Sequence, residues 1–338
     1  PPFIWRDTAA FWGLQRSPSK GGFVRDYTMW LLTYYVTNAI IGEAELLYRR
    51  CPMQRLIREI RERLNVSQDD MAKMIGTSYA TVNRWENGHS RPGKAAQLRI
   101  YDICREKGMN LEELVLAKID RAVSSLRPRP ESLVLYHGSK SGIKGPIAPI
   151  SRDRCDFGKG FYMGTDPYQP LTLISDFEQS RFYVIRLDLA GLRVLEVSPD
   201  IEWAMMVAYN RGKMDEARGT KLYERFSTMA DGYDVIVGSI ANDRMFYVLD
   251  NFFLGNITDK ALVMSLSALQ LGKQYVAITE KACSHVTIEA EIELSYLERV
   301  FLRDLSESNR AKGVNLANAI CKDYRREGLF FDEILKNG

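Results

Sequence analysis

Between Gln54 and Leu64, apolar residues at Leu56, Ile57, Ile60 and Leu64 recur at the spacing of one helix face, and Asn65-Val66 ends that helix. Ser67 then stands as an N-cap, with Asp69 and Asp70 in the first turn, where carboxylates favour the helix dipole. Met71, Ala72 and Ile75 form the inner face of a second short helix, and Gly76 supplies a tight turn. Thr77 or Ser78 caps a third helix that runs to about Glu86 and turns Val82 and Trp85 inward, and Asn87-Gly88 stops it. Leu98, Ile100 and Ile103 carry the helical core onward, so the pattern predicts four or five packed helices.

After Leu126 the texture changes. Arg127-Pro128-Arg129-Pro130 cannot continue a helix and reads as an extended spacer. Beyond it, strand patterns cover Leu133 to Tyr136, Arg181 to Leu187, Val194 to Val197, Asp234 to Val237 and Tyr275 to Thr279. Helical stretches at Asp200 to Arg211 and Met214 to Ala230 alternate with them, which predicts an α+β domain over 131–290. From 291 to 338 the pattern is helical again, with one stripe at Leu294, Leu297, Phe301 and Leu305 and another at Val314, Ala317, Ile320 and Tyr324. Leu329-Phe330-Phe331 and Ile334 are set to dock on the α+β domain or on a partner protein.

Composition narrows the class. With 338 residues, 46% of them hydrophobic and 26% charged, the chain can build two or three real cores and is not a disordered polymer. The net charge of +3 does not by itself imply nucleic acid, but Arg49, Arg50, Arg55, Arg58, Arg61 and Arg63 cluster early. Five scattered cysteines form neither a zinc pattern nor a disulfide framework, so no metal is expected and a reducing cytoplasm fits. The longest apolar run, Met29 to Ile41, falls short of the roughly 20 residues that span a bilayer, so no membrane association is expected. Residues 1–52 have no clear periodicity and stay unassigned, either a tail or sequence read from upstream of the natural start near Met53.

The segment from Ser67 to Gly88 resembles the phage-repressor-like (XRE-type) helix-turn-helix, with Gln68, Ala72, Gly76, Val82, Trp85, Glu86, Asn87 and Gly88 where that family uses such residues. The resemblance makes 53–126 an all-α DNA-binding domain whose partner is double-stranded DNA. It implies that Gln68 and Asn87 grip phosphates while Ser78, Tyr79, Ala80, Thr81 and Arg84 face the major groove. One such unit reads a half-site, so a homodimer is expected.

A second resemblance rests on Leu135-Tyr136-His137-Gly138-Ser139, then Phe157-Gly158-Lys159-Gly160-Phe161-Tyr162, then Gln274-Tyr275-Val276. In that order these pieces resemble the NAD-binding motifs of the diphtheria-toxin and poly(ADP-ribose) polymerase class of ADP-ribosyltransferases. Helix-turn-helix fusions are familiar in a bacterial branch of that fold, to which Tyr233 to Asp243 is also similar. The resemblance implies NAD as substrate, with His137 on a ribose hydroxyl, the Gly138 backbone on the carboxamide, Tyr162 stacked on nicotinamide and Ser139 as a further hydrogen-bonding group. The family often adds a second aromatic; here Pro170 and Leu173 stand there, and Tyr168 is the substitute.

The family's catalytic Glu falls at Gln274. A carboxylate about 4 Å from the developing oxocarbenium is worth on the order of 4 kcal/mol at an effective dielectric of 20, or roughly 10³-fold in rate. Gln274 bonds a hydroxyl without supplying charge. Asp243 and Glu280 are the replacement acids to check, and Gln274→Glu is expected to raise NAD cleavage. Two functions follow from these motifs. One is a self-regulating, toxin–antitoxin type transferase that moves ADP-ribose from NAD to a macromolecule. The other is a non-catalytic transcriptional regulator whose degenerate pocket binds a nucleotide or a partner protein.

Overall fold

A computed structural model describes residues 52–240, 243–268, 272–325 and 327–337, the side chains of residue 52 and of 243–246 excepted. The N-terminal segment, with its Met29 to Ile41 run, lies outside the described residues. Among the described residues five helices come first: α1 (Pro52–Arg63), α2 (Gln68–Ile75), α3 (Tyr79–Glu86), α4 (Lys94–Glu106) and α5 (Leu111–Ser124). Their boundaries follow local chemistry. Ser67 accepts a hydrogen bond from the Asp70 amide, Gly76 takes the left-handed conformation at φ +81° that a side chain would resist, and Ser78 accepts from the Thr81 amide. Leu56, Ile57, Ile60, Met71, Val82, Trp85, Ile100 and Leu114 close the core of this bundle. Leu98, expected inside, is 40% exposed, because the inner face of α4 runs instead through Ile100, Tyr101, Ile103 and Cys104.

The second part is built on a seven-stranded sheet in the order β4-β5-β6-β2-β1-β3-β7. The strands are β1 (Ser132–Ser139), β2 (Phe161–Gly164), β3 (Arg181–Asp188), β4 (Val194–Glu196), β5 (Val235–Ser239), β6 (Lys273–Ala277) and β7 (Val286–Glu293). Only β4 and β5 run parallel. The ladder between β1 and β2 holds at one pair, Tyr136 with Gly164, whereas β1 pairs with β3 along all eight residues. The sheet therefore has a weak seam at its middle.

Helices α6 (Tyr168–Ile174), α7 (Ile201–Asn210), α8 (Lys221–Thr228), α9 (Asp243–Phe253), α10 (Asp259–Ala268) and α11 (Glu280–Ser284) pack around the sheet, followed by α12 (Tyr296–Tyr324) and α13 (Phe331–Asn337). The helix expected over Met214 to Ala230 is divided: a 3₁₀ turn at Asp215–Ala217 ends before Gly219, at φ +88°, and Thr220 caps α8 afresh. Strand β7 extends past the expected domain end at residue 290 to Glu293.

The C-terminal stripes belong to one 29-residue helix, α12, opened by a capping box between Ser295 and Glu298. Its Leu297 and Val300 join the core of the helical bundle, and its Ala317 joins the core under the sheet. Phe331 packs on Phe252 and Phe253 at 5.3 Å between ring centroids, so the last apolar segment docks on the sheet domain. The 127–130 connection is pinned, since buried Arg186 donates to the Arg127 carbonyl at 3.0 Å and pairs with Glu289. No helix among the described residues is long and apolar enough to cross a membrane.

Candidate functional site

The residues expected to face the major groove are centred on α3. Tyr79 is 53% exposed, and Ala80, Arg84 and Asn87 are exposed with it. Ser78 and Thr81 share a hydroxyl–hydroxyl bond of 2.9 Å at the helix start. Gln68, expected to grip phosphate, sits beside Glu86 and Asn83. Its amide donates to Glu86 at 2.8 Å and accepts from Asn83 at 3.1 Å, so both ends are engaged inside the protein. Asn87 likewise donates to the Asn83 backbone and side-chain oxygens.

The hub of this network is Glu86, which is 2% exposed. Arg61 meets it at 2.6 Å and Arg58 at 3.7 Å. Burial pushes the Glu86 carboxyl up, but hydrogen bonds from Arg61 and Gln68 and the charges of Arg61 and Arg58 outweigh it and leave the group below its ordinary value. Sequence reasoning placed Glu86 in the motif without this role. The early arginine cluster was the available signal: Arg58 and Arg61 hold Glu86, and Arg63 pairs with Glu59 and Glu113.

The second site opens at the seam between β1 and β2. A cavity of about 1100 Å³ lies there, lined by His137, Gly138, Tyr162, Gln274, Tyr168, Pro170 and Leu173 among others. Four of the expected nucleotide-site residues on three different strands thus meet in one place, with Tyr168 from α6. Ser139, at the end of β1 opposite Arg181, does not line it, although it was expected to bond the nucleotide, while its neighbours Gly138 and Lys140 do.

His137 stacks on Phe161 with 4.5 Å between ring centroids, and its Nδ1 lies 2.7 Å from the Tyr162 carbonyl oxygen. Burial lowers its pKa below the ordinary histidine value, so the ring is neutral at pH 7. A carbonyl only accepts, so Nδ1 carries the proton and Nε2 keeps a lone pair that can accept from a hydroxyl.

Tyr162 is anchored at its tip. Its hydroxyl donates to the Gly158 carbonyl at 2.7 Å and accepts from the Phe157 amide at 3.0 Å, and burial raises its pKa strongly. Gly158 itself sits at φ +75°. Gly138 has a steric reason to be glycine: a Cβ there would lie 2.7 Å from the Pro170 oxygen and 2.8 Å from Ile174 Cγ2, so α6 can press against β1 only without a side chain.

Gln274 is 4% exposed, and its amide nitrogen donates to the Ser239 carbonyl at 3.0 Å. That bond requires an NH₂, which a carboxylate lacks. Of the two replacement acids, Glu280 is exposed at the start of α11 and does not line the cavity, and the side chain of Asp243 lies outside the described residues. The carboxylates that do line it are Glu112, Asp156 and Asp166, none of them anticipated. Asp156 is held by Arg211 at 2.6 Å, Asp166 accepts from the Tyr168 amide, and Glu112 accepts from the Tyr168 hydroxyl. Lys140, Lys144, Arg152, Arg154, Arg211 and Lys312 make the wall richer in positive than in negative charge.

Residues 57–95 match the family model described as Helix-turn-helix, and residues 133–288 match the one described as Protein of unknown function (DUF3990). No curated protein and no solved structure matches the chain significantly. The first match makes the leading helices an XRE-type helix-turn-helix, and the chain a DNA-binding regulator joined to a mixed α/β sheet domain.

Proposed function

We propose that the sheet domain takes an NAD-type dinucleotide in the β1–β2 cavity, and that the chain is a regulator in which this ligand meets a DNA-reading module. The observation that carries the reading is the convergence of His137, Gly138, Tyr162 and Gln274 on one cavity of about 1100 Å³. Small-molecule sites run to roughly 300–1,000 Å³, so the space suits a ligand of dinucleotide size. Neutral His137 offers Nε2 to a ribose hydroxyl, and the six basic residues against three acidic ones in the wall favour a diphosphate. Gln274, bound as a donor to Ser239, supports binding without rapid turnover.

Titration of the full chain with NAD in a calorimeter tests the reading. Saturable binding that disappears in His137→Ala supports it, and heat of dilution alone from the wild-type protein ends it.

ADP-ribose transfer is the second reading, favoured by the carboxylates of Glu112 and Asp166 in the same wall, which would have to stabilise the cation that Gln274 cannot. Incubation with labelled NAD and cell extract distinguishes the two: transfer of label or release of nicotinamide belongs to the second alone.

A further inference from the structure

The cavity is not closed by the sheet domain. Glu112 stands in the first turn of α5, a helix whose Leu111 and Leu114 lie in the same core as Val82 and Trp85 of the reading helix. Its carboxylate lines the cavity and accepts the hydroxyl proton of Tyr168. Asn309 and Lys312 come from α12, which is tied to the bundle by the Leu297 amide on Gln97 at 3.2 Å and by Tyr101 on Asp304. All three lining residues fall outside the 133–288 match.

A carboxylate in a nucleotide site has a definite use, accepting from the vicinal hydroxyls of a ribose. Tyr168 occupies one of the roughly four lone-pair sites of the Glu112 carboxylate. Burial and Glu112 both hold the Tyr168 phenol protonated, so the pair offers an incoming sugar fixed acceptors and a hydroxyl oxygen.

Resting on the dinucleotide reading above, we propose that Glu112 of the DNA-reading module is a ligand-binding residue that accepts a ribose hydroxyl. The ligand then bridges the two modules and its binding is linked to DNA binding. Linkage makes the effect mutual: whatever factor the dinucleotide applies to DNA affinity, DNA applies to dinucleotide affinity. The mechanical route is short, since α5 presents Glu112 to the ligand and Leu114 to the core that seats α3.

The test uses the full chain, NAD as the probe, and a duplex selected by that chain from a random pool. Glu112→Ala and Tyr168→Phe should each weaken NAD binding by about tenfold, the scale of one hydrogen bond to a charged group. Saturating NAD should change the DNA affinity of the wild type by about fivefold or more and leave that of Glu112→Ala unmoved. Should Glu112→Ala fail to fold, Glu112→Met, which has similar length but no oxygen acceptor, carries the same comparison. Wild-type NAD affinity and an intact DNA response in these variants would overturn the assignment of Glu112 while sparing the dinucleotide reading. A wild-type chain that binds no NAD overturns both.

Discussion

His137 Nδ1 lies 2.7 Å from the carbonyl oxygen of Tyr162, and the bond spans a gap that the backbone leaves open. Strands β1 and β2 pair only at Tyr136 and Gly164, so beyond that rung a side chain does what a ladder bond would otherwise do. One imidazole thereby holds the seam with one nitrogen and keeps a lone pair on the other, in a residue that lines the cavity.

This dual duty has a pH signature. The pKa of His137 in the folded chain is depressed by burial, so protons bind the unfolded state more readily. Its contribution to stability is complete above the ordinary value near 6.5 and is lost as pH falls through the lower folded value. Denaturant unfolding from pH 7.5 downward should show wild type losing stability faster than His137→Gln, whose amide can still donate to the Tyr162 carbonyl. Parallel profiles for the two proteins would mean that the ring is not held neutral.

Gln274→Glu is expected to destabilise the fold by about 1–3 kcal/mol, the penalty of leaving a buried acceptor without its donor. The Ser239 carbonyl would face a second acceptor. The introduced carboxyl should titrate above its ordinary range, since the neutral form alone can donate, and the deficit should shrink as pH falls. This revises the simple expectation that a returned carboxylate restores catalysis. NAD cleavage must be read in protein shown to be folded, and undiminished stability of the variant at pH 7.5 would contradict the Ser239 contact.

Gly138→Ala tests packing. The added methyl would press on the Pro170 backbone, which cannot rotate away as a side-chain tip can. Overpacking of this kind typically removes about 1–3 kcal/mol, measurable as a lower urea midpoint with an unchanged slope. An unaltered midpoint would mean that α6 is free to move off β1.

The features legible in the sequence were the local ones. Ser67, Gly76 and Ser78 declare the ends of α2 and α3 because a cap is a contact within three residues. The order of His137, Tyr162 and Gln274 was enough to gather them, since β1, β2 and β6 sit near one another in one sheet. Long-range partners were not legible. Gln68 bonds Glu86 across 18 residues and Tyr168 bonds Glu112 across 56, and neither spacing carries a pattern. The alternation Val286-Thr287-Ile288-Glu289 was readable as a strand, but β7 straddles the point at which the texture turns helical. Gly219, by contrast, was a visible breaker inside the stretch expected to be one helix.

The reading helix offers a test independent of the cavity. Arg84 is exposed on α3 while Val82 and Trp85 on the same helix are buried, so Arg84→Ala should leave the fold intact. If Arg84 reads a base edge, specific DNA binding should weaken by about 1–3 kcal/mol. If it touches phosphate alone, affinity should fall evenly across sequences and the salt slope should drop by about one. Gln68→Ala is the contrasting variant: it removes a hydrogen bond from buried Glu86, so its DNA defect should come with lower thermal stability. That loss belongs to the ionised form. Glu86 is held below its ordinary value, its contribution is present above about 4.5 and fades as pH falls through the folded value, and the gap between Gln68→Ala and wild type should narrow with it. Full DNA binding by both Arg84→Ala and Gln68→Ala would assign this surface to protein contacts instead.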